Sequence, residues 1–403
     1  MLNNQIAEFP IIYANSSRIG RIAVGWGVHT TVGNEAKAAG IKKALIVTTG
    51  LKGSGIVDEI NGILKHNGIS TEIFTGVTSN PKDYEVMVAY RAFKDAQCDG
   101  VVSVGGGSSH DCGKALRAVD GNDGEDIGKL FGTPSGPSAH KPATKPQISV
   151  NTTAGTGAEN TGGAAIINTK GKIKVKGLIS VPGIACNISL NDPLLIRLQP
   201  ANIAAQTAFD AFTHAFEMCV SRIQSQFSLA LGLRAIMLVS EGIRDFTYNR
   251  MNSTACEKIC WASSMAGGLG LNSGGGVGIV HGLGHGLSAN WDLHHGLANM
   301  VVTLPLESYN LPSCPGRFAD MAAAMGVDTR SMSVLQAAEK WIEEVEKMLK
   351  DLNVETGNLT RRFGVQKDYI PGIIETSVAA LGKRSNPRDY NYDELLKLFE
   401  SLL

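Results

Sequence analysis

Histidines concentrate in one part of the sequence, where they could bind a metal ion. Five of the nine histidines lie between residues 214 and 295. Asp210 and His214 are four residues apart in a stretch with helical periodicity, which predicts a carboxylate and an imidazole on one helix face. His281 and His285 repeat this spacing, and a pair of adjacent histidines follows. One carboxylate with several imidazoles and no nearby cysteine pair favours Fe(II) or Zn(II) over Ca(II) or an iron–sulfur cluster.

Such a ligand set suits a catalytic metal. A cation held by one carboxylate and up to three imidazoles can keep a position free for a substrate oxygen, on which it acts as a Lewis acid. The sequence lacks H-E-x-x-H, the defining pair of one large class of zinc proteases. An isolated histidine on an apolar helix face is usually a core residue, but four histidines within residues 281–295 favour a metal site.

Glycines cluster most densely at Gly105, Gly106 and Gly107, after the apolar run 101–104 and before a helix predicted to start near Ser109. A strand, a glycine turn and a helix N-terminus together present free backbone N–H groups and a favourable helix dipole to an anion. We expect a pyrophosphate cradle, with Ser108 and Ser109 capping the helix. A plain tight turn is the alternative reading. No G-x-G-x-x-G fingerprint is present, so a standard Rossmann unit is not supported.

A second tract of small polar residues, 151–159 (NTTAGTGAE), also follows a predicted strand. Its hydroxyls and flexible backbone suit a ligand in the crevice at the carboxyl ends of a parallel sheet. An irregular surface loop is the competing interpretation.

The first half of the chain alternates apolar β-branched runs with amphipathic stretches. The predicted strands are 43–49, 71–74, 101–104 and 147–150, and 83–94 is a predicted helix. Strands separated by helices imply right-handed crossovers and a mostly parallel sheet that is covered on both faces.

Helical periodicity dominates after about Pro193. The predicted helices are 201–221, 228–244, 255–266 and 333–353; in the last of these, Val334, Leu335 and Trp341 are among the residues expected on the apolar face. The chain is therefore predicted to have an N-terminal α/β domain, residues 1–193, and a C-terminal all-helical domain, residues 194–403.

Composition excludes several classes of function. The 37 basic and 37 acidic side chains cancel, which argues against a nucleic-acid or anionic-membrane binder. The seven cysteines are scattered without a C-x-x-C pair, as expected of reduced thiols. Residues 1–18 lack a leader pattern, and no window has about eighteen uninterrupted apolar residues. We expect a soluble cytoplasmic protein.

Several motifs resemble those of the iron-containing (group III) alcohol dehydrogenases. Residues 105–108, with Asp111 and Lys114, resemble the family's GGGS-x-x-D-x-x-K pyrophosphate turn, and 152–157 resembles its TTAGTG nicotinamide-side loop. The resemblance runs from about Val24 to the C-terminus. It implies a dehydroquinate synthase-like fold, in which a Rossmann-like parallel-sheet domain is followed by an all-α domain.

The resemblance also assigns site residues. The metal ligands would be Asp210, His214, His281 and His295, and the metal would be Fe(II) or, alternatively, Zn(II). His285 would be the further histidine near the reacting carbon, where it relays a proton or serves only as packing. NAD or NADP would contact Thr49, Gly105, Gly106, Gly107, Ser108, Asp111, Thr152, Thr153, Thr156 and Lys176.

The implied activity is reversible hydride transfer between a nicotinamide and a small primary alcohol or its aldehyde, of the methanol, propanediol, lactaldehyde or sulfoacetaldehyde type. Family members form homo-oligomers. Many NAD-preferring relatives carry Asp where Thr49 ends the strand, so both NAD and NADP remain open. Leu271 stands where an aromatic residue usually walls the substrate pocket. The alternatives are a zinc polyol dehydrogenase or lyase of this fold, a metal-dependent hydrolase without nicotinamide, and a non-catalytic metal-binding protein.

Further segments favour one branch of the family. Residues 385–388 (SNPR) resemble the usual T/S-NPR near the C-terminus. The segments that resemble the nicotinoprotein methanol dehydrogenases are 48–55, 79–87, 294–300 and 309–313.

Overall fold

A computed structural model describes residues 20–49, 51, 53–132 and 140–403. The predictions made for residues 1–18 lie outside the described residues. So do positions 50 and 52 of the segment 48–55.

The N-terminal half is built around a six-stranded sheet. Its strands are β1 (Arg21–Val24), β2 (Lys43–Thr48), β3 (Ser70–Phe74), β4 (Gly100–Gly105), β5 (Gln147–Asn151) and β8 (Ile188–Asn191), in the order β1-β8-β5-β4-β2-β3. All neighbours pair in parallel, so the predicted parallel sheet is confirmed. A separate antiparallel hairpin joins β6 (Ala164–Asn168) to β7 (Val175–Ile179).

Helices cover both faces of this sheet. They are α1 (Val32–Ala38), α2 (Ile56–His66), α3 (Asp83–Asp95) and α4 (Gly107–Gly121). On one face, Val101 of the sheet packs with Phe93 of α3 and Leu116 of α4. On the other face, Val102 packs with Ile60 of α2. Strand β4 is therefore buried on both faces, which explains its continuous apolar run.

The C-terminal half is mostly helical. Its helices are α5 (Pro193–Ile196), α6 (Ala201–Val220), α7 (Gln226–Tyr248), α8 (Ser253–Ser263), α9 (Ile279–Trp291), α10 (His295–Met300), α11 (Thr303–Asn310), α12 (Pro315–Ala324), α13 (Val334–Asp351), α14 (Leu359–Phe363), α15 (Ile370–Ile373), α16 (Ala379–Ser385) and α17 (Tyr392–Glu400). Two π-helical turns, Ser264–Gly270 and Ile374–Val378, lie between them. Short 3₁₀ turns are Val28–Thr31, Ile127–Lys129, Ala158–Asn160, Leu311–Ser313 and Lys367–Tyr369. The predicted α/β region followed by a helical region is thus confirmed.

Aromatic side chains fill the core of the helical half. Trp341 of α13 lies between Phe212 and Phe216 of α6 and Phe318 of α12, with ring centroids 5.2 to 6.3 Å apart. The amphipathic helix 333–353 is therefore confirmed as a packing helix, although the expectation that Val334 and Leu335 join its buried face is wrong. Both are more than half exposed, because the first turn of α13 extends beyond the helices it packs against.

Helix α7 is long and apolar enough by composition to span a membrane, with a mean hydropathy of 1.3. It packs instead in the helical core. A Cβ atom added at Gly232 would lie 2.6 Å from Cys219 Sγ and 3.0 Å from the Ala215 carbonyl oxygen of α6. Such close backbone approach identifies α7 as a core helix of this half.

Candidate active site

The glycine turn joins β4 directly to α4. Strand β4 ends at Gly105, which has a φ of +148°, and α4 begins at Gly107 with Gly106 as its N-cap. The expectation that Ser108 and Ser109 cap this helix is wrong. Both lie inside its first turn, and no side chain caps Gly106. The Ser109 N–H bonds to the Gly106 carbonyl at 3.0 Å, but no side chain competes with a ligand at this helix N-terminus, as in other anion sites of this kind.

The second polar tract packs onto this turn and leaves no room for side chains on it. A Cβ atom at Gly106 would lie 2.8 Å from Thr153 Oγ1, and one at Gly107 would lie 2.7 Å from Thr156 Oγ1. The Thr152 N–H also donates a hydrogen bond of 2.9 Å to the Gly105 carbonyl. The two tracts form one surface of backbone and threonine hydroxyls, which fits a pyrophosphate.

Of the two charged residues that follow the glycine turn, Asp111 faces the cavity and Lys114 does not. Asp111 lines the cavity in front of the turn, and its Oδ2 accepts a hydrogen bond from the Ala165 N–H. Lys114 is fully buried beneath it. The Lys114 ammonium donates to the Ala158 carbonyl at 2.7 Å and pairs with Asp111 Oδ1 at 2.8 Å. Lys114 therefore holds the loop after residue 157 in place.

The four predicted metal ligands converge although they come from three helices. Asp210 and His214 lie on α6, His281 on α9 and His295 on α10. All four are buried, and one candidate ligand atom from each lies within 4.8 Å of the others. Asp210 Oδ1 is 3.6 Å from His295 Nε2 and 3.9 Å from His281 Nε2.

Several atoms of this group have no protein partner. Among the described residues, Asp210 Oδ2 and His281 Nε2 are buried and make no hydrogen bond. Unpaired polar atoms are costly in a protein interior, so their convergence fits a cation. Burial lowers the pKa of His214 to about 4 and that of His295 well below its ordinary value, which keeps both rings in the neutral form that binds metals. One carboxylate with three imidazoles is a donor set suited to Fe(II) or Zn(II).

Neighbouring side chains orient these ligands. His214 Nδ1 donates to the Asp210 carbonyl at 2.9 Å, and the Asn299 amide donates to Asp210 Oδ1 at 2.9 Å. Glu217 accepts a hydrogen bond from His281 Nδ1. The sequence reasoning missed Glu217 and Asn299. A signal for Glu217 was present, because it follows Asp210 by seven residues and so lies on the same face of α6.

His285 lies one turn from His281 on α9, as predicted. Its ring centroid is 6.3 Å from that of His281 and 5.0 Å from that of His295. Its Nδ1 lies 3.3 Å from the carbonyl oxygen of Lys176. Burial, reinforced by the Lys176 charge, lowers the pKa of His285 well below its ordinary value. His285 is thus a neutral imidazole beside the cluster.

Lys176 of β7 reaches across the cleft to Asn80, to whose Oδ1 its ammonium donates at 3.1 Å. Burial also lowers the pKa of this lysine. Asn80 in turn donates to the Leu293 carbonyl at 3.1 Å. These contacts link the hairpin, the sheet side and the segment just before His295.

One cavity of about 550 Å³ connects the glycine turn to the histidine cluster. Its walls include Gly106 and Gly107 on the sheet side, and His214, His281 and His295 on the helical side. Nine further residues that were predicted to contact the nucleotide or the substrate also line this cavity: Thr49, Ser108, Asp111, Thr152, Thr153, Thr156, Lys176, Leu271 and His285. Thr49 is an exposed residue just beyond the end of β2, and Gly105 lies behind the turn. The fold therefore brings the predicted residues to one place.

Comparisons with known proteins agree with this geometry. Residues 20–193 match the family model described as iron-containing alcohol dehydrogenase, and residues 204–403 match its C-terminal model. The methanol:N,N-dimethyl-4-nitrosoaniline oxidoreductase of Mycobacterium sp. (strain DSM 3803 / JC1) is 37% identical over 87% of this chain and 82% of its own length. The 1,3-propanediol dehydrogenase of Klebsiella pneumoniae is 35% identical over 92% of this chain and 94% of its own.

A solved structure, that of a 1,3-propanediol oxidoreductase, superposes with a TM-score of 0.89 at 33% identity. The superposition covers 98% of this chain and all of that one. The dehydrogenase fold and family predicted from the motifs are confirmed. The chain belongs to the iron-containing alcohol dehydrogenase family.

Proposed function

We propose that the chain is a metal-dependent NAD(P)-linked alcohol dehydrogenase and aldehyde reductase that acts on small primary alcohols. The single observation that carries the proposal is the shared cavity. A turn suited to a pyrophosphate and a buried acid–imidazole cluster open into the same 550 Å³ space. A metal-dependent hydrolase would have no use for the glycine turn, and a protein that only stores metal would not need the cavity.

In this proposal Asp210, His214, His281 and His295 hold the cation, Fe(II) or alternatively Zn(II). When bound, the cation supplies Lewis acidity to the alcohol oxygen and the nicotinamide supplies the hydride acceptor. The protein buries all four side chains, and this burial lowers the pKa values of His214 and His295, which favours their neutral, metal-binding form. Asn299 fixes the carboxylate of Asp210, so that the group is preorganised before a substrate arrives.

His285 would carry the proton. With Nδ1–H directed at the Lys176 carbonyl, the lone pair of Nε2 is free to accept the proton that the alcohol hydroxyl loses. A bound nicotinamide would take up the hydride and both electrons that the alcohol carbon loses, so the task left to the protein's own side chains is the hydroxyl proton. In the reverse direction His285 returns the proton. A packing role for His285 would leave the rate independent of this ring.

The nucleotide would lie across the carboxyl ends of the sheet. Gly106, Gly107 and Ser108 would receive the pyrophosphate, with Gly105 supporting the turn from behind, and Thr152, Thr153, Thr156, Asp111 and Lys176 would border the nicotinamide half. Thr49 would face the adenosine ribose. Because it carries no charge to repel a 2′-phosphate, both NAD and NADP are proposed as cofactors.

Domain organisation and cellular context follow the same proposal. Residues 1–193 would form the nucleotide-binding domain and residues 194–403 the metal and substrate domain, in a cytoplasmic homo-oligomer with no nucleic-acid partner. All seven cysteines are free thiols, which supports a reducing compartment.

A panel of alcohols tests the proposed activity. The metal-loaded protein is mixed with methanol, ethanol, propanol, butanol or 1,3-propanediol and with either nucleotide, and nicotinamide reduction is followed by absorbance. The corresponding aldehydes, lactaldehyde and sulfoacetaldehyde are offered with the reduced nucleotides. We expect metal-dependent turnover with at least one pair. Tight nucleotide binding without turnover on any pair would contradict the proposed substrate class, and the absence of nucleotide binding would contradict the dehydrogenase itself.

A further inference from the structure

Glu217 is a buried carboxylate that contacts a proposed metal ligand but points away from the cavity. It lies on α6, three residues after His214, and only 1% of its surface is exposed. Glu217 Oε2 accepts the hydrogen bond from His281 Nδ1. Glu217 Oε1 accepts from the backbone N–H of Val280 at 2.9 Å and of His281 at 3.4 Å. One side chain on α6 therefore holds both the imidazole and the first turn of α9.

Asn386 holds the same turn from the C-terminal segment. It is fully buried in the SNPR sequence at 385–388. Its Oδ1 accepts a hydrogen bond of 3.3 Å from the Ile279 N–H, and its Nδ2 donates to Asn310 Oδ1 and to the Arg388 carbonyl, both at 2.8 Å. The neighbouring Ser385 hydroxyl donates to the Val277 carbonyl. The motif thus has a structural role near the site without lining the cavity.

The residue before α9 leaves room for both side chains. A Cβ atom at Gly278 would lie 2.8 Å from Asn386 Oδ1 and 3.0 Å from Glu217 Oε1. Helices usually satisfy their first free N–H groups with a local capping side chain. No such side-chain cap is present at Gly278, so in α9 two remote side chains supply the acceptors.

Glu307 is a second buried acidic residue near Glu217. Its side chain is fully buried, and its Oε1 accepts from the Asn310 amide at 3.2 Å. Burial and the nearby Glu217 raise the pKa of Glu307 well above its ordinary value. Asn310 contacts both Glu307 and Asn386, which places the three side chains in one buried polar group.

We infer that Glu217 and Asn386 are positioning residues for the metal site: together they fix the first turn of α9 and the ring of His281. A carboxylate partner at Nδ1 requires the tautomer with Nδ1–H. The lone pair of that tautomer is on Nε2, the atom that faces Asp210 across 3.9 Å. The inference rests on the metal site proposed above and adds to it two residues that do not touch the cation.

Glu217→Gln separates orientation of the ring from capping of the helix. The amide oxygen of Gln can still accept from the Val280 N–H, but its NH₂ group then faces His281 Nδ1 and favours the opposite tautomer, whose Nε2 carries a proton. Groups that orient metal-bound histidines typically contribute 10- to 100-fold in affinity. The metal-free protein is titrated with Co(II), whose visible absorption reports the ligand geometry, and NADH binding is measured by fluorescence. We expect about 10- to 100-fold weaker Co(II) binding and unchanged NADH affinity.

Glu85→Gln is the matched control. Glu85 is also buried, and it accepts hydrogen bonds from the backbone N–H of Lys82, the N-cap of α3, at 3.2 Å and from that of Thr78, in the preceding loop, at 3.3 Å. It has no contact with a histidine in the described structure, so we expect its substitution to leave Co(II) affinity unchanged. Equal Co(II) affinity in Glu217→Gln and the parent protein would overturn the role of Glu217.

Asn386→Ala tests the second residue, with Asn122→Ala as its control. Asn122 is likewise buried and bonded to two carbonyls, of Ala118 and Lys141, in the sheet half. We expect Asn386→Ala to weaken Co(II) binding about tenfold, whereas Asn122→Ala lowers only the thermal midpoint. The same loss of affinity in both variants would overturn the role of Asn386. If the parent protein itself bound no Co(II), or if His214→Ala bound it normally, the metal site proposed above would fail instead.

Discussion

The two walls of the cavity present different chemical groups to a ligand. The sheet wall presents backbone N–H groups and small hydroxyls around Gly106 and Gly107, where a single added Cβ atom would collide with a threonine. The helical wall presents a carboxylate and imidazoles, several of which are held by another side chain or carbonyl, such as Asp210 by Asn299 and His214 by the Asp210 carbonyl. Binding at the sheet wall therefore depends on the absence of side chains at the glycine turn. Binding at the helical wall depends on the hydrogen-bond partners that orient its side chains. Substitutions on the two walls should have separable effects.

The largest expected effect is on the helical wall. Replacing His281 by Ala removes one of the four converging donors and leaves the glycine turn untouched. We expect turnover to fall by at least about a thousandfold, because the Lewis acid contributes several kcal/mol to the reaction. NADH affinity, measured by fluorescence titration, should stay within about twofold. Full activity in a metal-free preparation of this variant would contradict the metal role.

The converse substitution on the sheet wall is Gly106→Ala. Its Cβ atom would lie 2.8 Å from Thr153 Oγ1 and 2.9 Å from Thr153 Cγ2, so the threonine must move. Overpacking of this kind costs about 1–3 kcal/mol, and we expect NADH binding to weaken about tenfold with Co(II) affinity unchanged. Parallel losses of both affinities would mean that the two walls are not independent.

Lowering the pH should destabilise the metal-free protein, because histidines of the helical wall are buried. Burial lowers the pKa of His214 and of His294 to about 4, whereas an unfolded histidine takes up a proton below about pH 6.5. The unfolded chain then binds more protons than the folded one, so stability is lost as the pH falls from about 6.5 towards 4. Denaturant midpoints at pH 7 and pH 5 measure the loss. His294→Asn should show a smaller loss than the parent protein, and an equal loss would contradict the assignment.

The smallest expected effect concerns the choice of nucleotide at the edge of the sheet wall. Thr49 is exposed and follows the last residue of β2. Replacing it with Asp adds a charge that repels a 2′-phosphate and accepts from a ribose hydroxyl. We expect the ratio of kcat/KM for NAD to that for NADP to rise severalfold, which is less than the change of about tenfold expected for Gly106→Ala. An unchanged ratio would mean that the ribose is recognised by other residues.

The strands easiest to predict from the sequence were those whose two faces are both buried. Strands β2, β4 and β5 are continuous buried runs, so their apolar β-branched residues reveal them. The edge strand β1 was missed because it is only four residues long and half exposed. Strand β8 was missed because Ser189 and Asn191 interrupt its apolar residues. Both are buried in hydrogen bonds to other polar side chains, which no local pattern reveals.

The site was predictable to the extent that its residues repeat at helical spacing or in short motifs. Helical spacing pointed to Asp210, His214, His281 and His285, a short motif pointed to the glycine turn, and the family resemblance added His295 to the proposed ligand set. The role of Asn386 was not predictable, because its contacts with Ile279 and Asn310 join segments far apart in the chain. The capping of α4 was mispredicted for a related reason: a serine after a glycine turn normally predicts an N-cap, yet here the helix begins two residues before Ser109.

A crystal structure of the protein with Fe(II) and NAD, with anomalous diffraction recorded at the iron edge, tests the central claim most directly. The account predicts one anomalous peak within ligand distance of Asp210, His214, His281 and His295, and a pyrophosphate against the N–H groups of Gly106 and Gly107. A peak elsewhere, or a dinucleotide bound away from the glycine turn, would contradict it.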